Sequence, residues 1–143
     1  MEIKTISTAN DISVCKDIIL AFRTNLKEEG YEQAITHMIK NESLHIDYVY
    51  DTEHRKAAAF VGYRYMCMLR TGPIIYIDDL YTDPAYRGKG CGAALLAHVK
   101  RKGIEKGMKA VHLDSGFPLH PAHRLYLKSG FDLACHHFAL TLA

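Results

Sequence analysis

Residues 86–96 read Tyr-Arg-Gly-Lys-Gly-Cys-Gly-Ala-Ala-Leu-Leu, which sets Gly88, Gly90 and Gly92 at alternate positions directly ahead of an apolar run. Glycine in a helix interior costs about 1 kcal/mol relative to alanine, so a cluster of them at a helix start needs a reason. Residues 74–82, just upstream, are rich in β-branched and aromatic side chains and stop at Asp83-Pro84, where proline ends a ladder. From about residue 90 to 105, Ala93, Ala94, Leu95, Leu96, Val99 and Ile104 form one apolar helical stripe. Strand, glycine loop and helix in that order aim backbone N–H groups at one point. First-turn amides have no intrahelical acceptor, the helix dipole favours negative charge there, and positive φ at the glycines lets a ligand approach without meeting a Cβ. The stretch therefore reads as a cradle for a phosphate or pyrophosphate, with Arg87 and Lys89 adding charge. The competing reading is a glycine turn that serves only close packing of helix on strand.

The flanking patterns supply the rest of the fold. Residues 1–7 alternate as a first strand. Residues 10–30 open on the candidate cap Asn10 or Asp11 and repeat apolar side chains at Ile12, Cys15, Ile18, Ile19 and Phe22 before Gly30. Residues 31–42 carry Ala34, Ile35, Met38 and Ile39 on one side of a shorter helix. Residues 43–51 and 56–70 read as neighbouring antiparallel strands, and Thr71-Gly72-Pro73 breaks the second from residues 74–82. Residues 108–116 make a buried strand ending at Asp114-Ser115, residues 121–130 a helix closed by Gly130, and residues 131–143 a last strand or hairpin. The order β-α-α-β-β-β-α-β-α-β predicts a single α/β domain over residues 1–143, with a mixed sheet.

Composition removes several classes of function. The chain is 48% hydrophobic and 24% charged, ordinary for a soluble globular protein, and its net charge of +2 is concentrated in no long basic stripe that would engage nucleic acid. The densest basic stretch, residues 98–109, reads as the solvated face of a helix. No secretory pattern is present and no apolar run approaches the roughly 18 residues of a membrane span, so a cytoplasmic protein without membrane partners is expected. Four scattered cysteines without a CxxC pair read as reduced thiols. Among nine histidines only His136 and His137 are adjacent, and neighbours on a strand face opposite ways, so no metal is expected.

Nucleotide motifs narrow the anion. No Gly-Lys-Ser/Thr completes a Walker loop. Gly88-x-Gly90-x-x-Ala93 fits a dinucleotide fingerprint and Asp114 ends the next strand, but too little chain follows Asp114 to build a doubly wound sheet.

The whole order fits a third candidate. Arg87-Gly-Lys-Gly90-Cys-Gly92, preceded by residues 76–86 and followed after one strand by residues 122–131, resembles the GNAT N-acetyltransferase superfamily. The Arg-x-x-Gly-x-Gly pattern is similar to that family's acyl-CoA pyrophosphate loop, and Tyr126-Leu-Lys-Ser-Gly130-Phe131 to its later Tyr-x-x-x-Gly-Phe signature. The resemblance implies an acyl-CoA N-acyltransferase fold with splayed fourth and fifth strands. It also implies acetyl-CoA as cosubstrate and direct attack by a primary amine in a ternary complex. It places the main chain of Leu80, Tyr81 and Thr82 along the pantetheine arm, with the Leu80 N–H polarising the thioester carbonyl. The amides of Gly88, Lys89, Gly90, Cys91, Gly92 and Ala93 then take the pyrophosphate, beside Arg87.

For the proton transfers the resemblance favours Asp78 as general base and Tyr126 as general acid. Alternation along a strand lets only one of Asp78 and Asp79 face the cleft, which leaves Asp79 a substrate-binding candidate. Leu119 stands where many relatives carry asparagine, so Ser115 or His120 is the candidate replacement contact. Cys91, beside cations at a helix N-terminus, is expected to have a lowered thiol pKa and to be shielded from alkylation by acetyl-CoA. Glu28, Glu29 and Glu32 suggest a small cationic amine as acceptor, and peptide or protein amines stay open. The resemblance also implies a possible homodimer. The alternative is a catalytically silent acyl-CoA-binding regulatory domain on the same scaffold.

Overall fold

Residues 56–70, the longest strand-prone run, build the central strand. The structure, a computed structural model, describes residues 1–143. The chain resolves into two compact units, residues 1–113 and 114–143. In the first, β1 (Glu2–Thr5), α1 (Ala9–Val14), α2 (Lys16–Phe22) and α3 (Tyr31–Asn41) precede the strands β2 (His45–Asp51), β3 (Lys56–Met68) and β4 (Gly72–Thr82). A 3-10 turn at Pro84–Tyr86 leads to α4 (Cys91–Glu105) and β5 (Ala110–Leu113). The sheet runs β1-β2-β3-β4-β5, antiparallel as far as β4 and parallel between β4 and β5. Parallel neighbours need a crossover, and α4 is that crossover. The mixed α/β sheet read from the sequence is thus what the chain builds. No helix is long and apolar enough to cross a membrane.

Residues 10–30 do not form one helix. The cap is Thr8, whose side chain accepts from the Asp11 N–H while Asp11 reaches back, a capping box that starts the helix ahead of the expected Asn10 or Asp11. Buried Cys15 closes α1 and opens α2. On one sheet face Ile12, Cys15, Ile18, Ile19, Tyr31 and Ile35 pack against Ile46, Tyr48 and Phe60.

The other face carries α4. Leu95, Leu96 and Val99 are buried, and Gly103 lets the helix settle on the sheet, since a Cβ there would lie 3.3 Å from Ile75 Cδ1. Part of the basic stretch that reads as solvated turns inward. Asp47 on β2 is fully buried (0% exposed) and accepts the Tyr63 hydroxyl at 2.9 Å. Nε2 of His98 lies 2.8 Å from the same oxygen, and Lys102 Nζ 3.9 Å from it. A buried carboxylate must be paired, so this contact fixes α4 against β2 and β3, and with it the direction of the helix N-terminus.

The β4–β5 pairing runs from Ile74↔Ala110 to Ile77↔Leu113 and stops, while β4 continues to Thr82. From Asp79 onward, β4 has a partner on its β3 side only. This is the parting of fourth and fifth strands that the sequence reading expected.

In the second unit, α5 (His120–Lys128) starts at Leu119 with no side-chain cap and Pro121 in its first turn. It stops at Gly130, whose φ of +92° turns the chain so that Phe131 N–H donates to the Tyr126 carbonyl at 3.0 Å. The Phe131 ring lies 5.8 Å from that of Tyr126. The Tyr-x-x-x-Gly-Phe signature is therefore, physically, a helix stop with an aromatic clasp. The strand or hairpin expected over residues 131–143 does not form. Phe138, Leu140 and Leu142 alternate as a strand would but are exposed, and a ladder needs a second strand, which this unit does not contain.

Candidate active site

The parting of β4 from β5 coincides with an irregularity in β4. Gly62 pairs with Asp79 and Tyr63 with Ile77, so Asp78 has no opposite residue on β3 and forms a bulge. One extra residue resets the alternation of side chains beyond it. Tyr81 packs on the core beneath α1–α3, and Asp79, two residues earlier, shares that face opposite Gly62. Asp78 reaches the same face, where Arg64 meets it. The alternation argument, which allowed only one of the two acids to face the cleft, is overturned by this bulge.

Each acid is held by an arginine. Arg64 donates from Nε to Asp78 Oδ2 at 2.9 Å and from Nη2 to Oδ1 at 2.5 Å, a bidentate fork. Arg23, where α2 ends, donates from Nε to Asp79 Oδ1 at 2.5 Å and from Nη2 to the Asp78 carbonyl at 2.9 Å, so one guanidinium spans the bulge. Its charge rests 4.2 Å over the Phe22 ring, which stacks on Tyr81 at 4.7 Å. Gly62 makes room, because a Cβ there would lie 2.9 Å from Asp79 Oδ2. Burial raises the Asp79 pKa, opposed by the hydrogen bond and charge of Arg23 and assisted by the charge of Asp78. Asp79 is thus held above the ordinary carboxylate range with its Oδ1 on Arg23, whereas Asp78 has both oxygens committed to Arg64.

Beyond Thr82 the chain turns sharply. Asp83 accepts the Ala85 N–H at 2.8 Å, Arg87 Nε donates to the Thr82 carbonyl at 3.2 Å, and the Tyr86 hydroxyl donates to Asp51 on the β2–β3 hairpin. Lys56 and Lys89 each place Nζ 5.2 Å from the Tyr86 ring centroid. Gly88 (φ +76°) and Gly90 (φ +84°) have nothing within 4 Å of a built Cβ, so the space above them is open. Gly92 does not share their conformation; it lies in the first turn of α4. Gly90 caps α4 without a side chain, and the first turn holds no acid. The amides of Cys91, Gly92 and Ala93 are therefore free to bind an anion, and nothing negative competes for them. A diphosphate fits this cradle.

Cys91 corrects the sequence reading. It is buried, and desolvation raises its thiol pKa although Lys89 pulls the other way. With iodoacetamide, exposed Cys67 and Cys135 should react first and buried Cys15 and Cys91 slowly, with no ligand needed to shield them. Labelling of Cys91 in the free protein at the Cys67 rate, read by peptide mass spectrometry, would contradict this.

Tyr126 and Ser115 belong to the second unit. Burial raises the Tyr126 phenol pKa, and the Ser115 hydroxyl is buried with no hydrogen-bond partner. His120 is exposed at the start of α5. Arg23, Arg64 and Gly62 escape the sequence reading altogether. The usable signal was the pair Asp78-Asp79 itself, since two half-buried acids require two cations.

A family model for the acetyltransferase (GNAT) family matches residues 13–131. The chain belongs to the GNAT acetyltransferase family. No curated protein matches it by sequence. Three solved structures show the fold. An acetyltransferase of Trypanosoma brucei is 21% identical with a TM-score of 0.80, covering 99% of this chain and 100% of its own. A ribosomal-protein-alanine N-acetyltransferase of Brucella melitensis biovar Abortus is 14% identical with a TM-score of 0.83, over 99% and 100%. AAC(6')-Iy in complex with a bisubstrate analogue containing coenzyme A is 12% identical with a TM-score of 0.84, over 99% and 97%. At these identities the likeness is one of fold. GNAT acetyltransferases use acetyl-CoA, and the open glycine cradle of this GNAT chain suits its diphosphate.

Proposed function

We propose that the chain, acting as one catalytic domain, transfers the acetyl group of acetyl-CoA to a primary amine by direct attack in a ternary complex. One observation carries this reading: an acid-less helix N-terminus behind two positive-φ glycines comes one turn and a short loop after the strand that bears a half-buried carboxyl of raised pKa. Acetyl-CoA, when bound, supplies an activated thioester. The amides from Gly88 to Ala93 hold its diphosphate, with Arg87 and Lys89 adding charge. The main chain of Leu80, Tyr81 and Thr82 has no β5 partner, although Arg87 Nε already donates to the Thr82 carbonyl; its remaining ladder groups take the pantetheine arm, and the Leu80 N–H polarises the carbonyl.

The acceptor nitrogen forms a bond to the acyl carbon while the carbon–sulfur bond breaks. Asp79 takes the nitrogen's proton, and Tyr126 gives its phenolic proton to the sulfur. This moves the base from Asp78, where the resemblance put it, to Asp79. Asp78, clamped in the Arg64 fork, serves as a fixed charge that holds the bulge. A thiol-release assay over a panel of amines tests the proposal: free thiol should appear in step with acetylated amine. Tight coenzyme A binding with no thiol release from any amine would instead favour a silent acyl-CoA-binding domain.

A further inference from the structure

We infer that the acceptor carries a carboxylate close to its amine, and that Arg23 and Arg64 recognise that carboxylate. The inference rests on the acetyl-transfer reading and specifies its acceptor.

A general base must lie within hydrogen-bond reach of the proton it takes, so the acceptor nitrogen has to come to the sheet face that carries Asp79. The groups that frame this face are known. Asp78 lies beside Asp79 on β4, Arg64 projects from β3, and Arg23 from the end of α2. Two carboxylates and two guanidiniums cancel, so the face offers no net negative charge to draw in a polycation.

Exposure then decides which sign an incoming molecule meets. The Arg23 and Arg64 side chains are 42% and 36% exposed, against 18% for Asp79 and 19% for Asp78. The acids lie beneath, and the guanidiniums stand at the surface. Each guanidinium has more N–H donors than its bonds to the acids use, and those bonds hold it in one orientation. A planar fork fixed in place with spare donors matches a carboxylate, and it repels a second ammonium.

The acids that suggest a cationic acceptor lie elsewhere. Glu28 is already paired with Lys16 at 2.6 Å, and Glu29 is solvated on the segment leading into α3 and Glu32 in its first turn. Glu42, whose charge is felt by Arg64, also faces His37 at 4.0 Å at the end of α3. None of them forms an ion pair with Arg23 or Arg64.

The test uses the full chain with acetyl-CoA and matched acceptors that differ only beside the amine: L-phenylalanine, L-phenylalaninamide and phenethylamine, with spermidine as the polycation. A charge-assisted hydrogen bond predicts kcat/KM for the carboxylate about tenfold or more above that of the amide and the plain amine. Arg64→Lys keeps the charge and loses the fork, so it should collapse this ratio while coenzyme A affinity stays unchanged. Should Arg64→Lys not fold, product binding replaces it: wild-type protein loaded with coenzyme A should bind N-acetyl-L-phenylalanine more tightly than its amide. Equal or better use of the amide, phenethylamine or spermidine overturns the inference and leaves acetyl transfer standing. Absence of thiol release with every amine overturns acetyl transfer, and the inference falls with it.

Discussion

Asp79→Asn is expected to lower kcat by roughly 10²- to 10⁴-fold with little change in coenzyme A affinity. Asparagine keeps the size of the side chain, and its Oδ1 still accepts the Arg23 Nε–H, so the bulge is preserved. What is lost is the ability to take a proton. The pH dependence sharpens the test. Burial puts the Asp79 carboxyl above its ordinary value, and only the ionised form is a base. Wild-type kcat should therefore fall as pH drops through that raised value, and the Asn variant should lose this limb. Asp78→Asn is the control. Asp78 transfers no proton in this account, so its loss should be smaller and the acid limb should persist. A larger loss in Asp78→Asn than in Asp79→Asn would return the base to Asp78.

Tyr126→Phe is expected to cost roughly 10- to 10⁴-fold in kcat, again at constant coenzyme A affinity. The substitution removes one oxygen and leaves the clasp, because the Phe131 N–H bonds to the backbone carbonyl of residue 126 and the ring pair is unaffected. Burial raises the phenol pKa, so the hydroxyl is protonated throughout the neutral range and available as a donor. The basic limb of the kcat profile should disappear in the variant. A variant that unfolds early, or one that turns over at the wild-type rate, would leave Tyr126 a packing residue.

The parts of this site that are legible in the sequence are those whose cause is local. Glycines ahead of an apolar stripe announce an open helix start with no side-chain cap, because positive φ and unpaired amides are properties of a few adjacent residues. The stop at Gly130 is local in the same sense. Non-local features are hidden. The bulge at Asp78 is a matter of register against β3, and nothing in Ile-Asp-Asp-Leu marks the slip that brings both acids to one face. Arg23 lies 56 positions from Asp79 and Arg64 lies 14 from Asp78, separations that no periodicity connects. His98 and Lys102 look solvated until Asp47, on a different strand, is seen beneath them. Cys91 has the charged neighbours of a reactive thiol, and only the fold shows that it is buried. Residues 131–143 have the alternation of a strand, and alternation specifies a face but supplies no partner.

The cradle is the premise of every role assigned here, since the base, the acid and the acceptor's arginines matter only if coenzyme A is held. Titration of isotopically labelled protein with coenzyme A, followed by amide NMR, tests it most directly. The resonances of residues 88–93 should shift saturably and more than those of the remote α3. Resonances there that stay fixed in a folded protein, at coenzyme A concentrations that saturate an acetyltransferase, would contradict it.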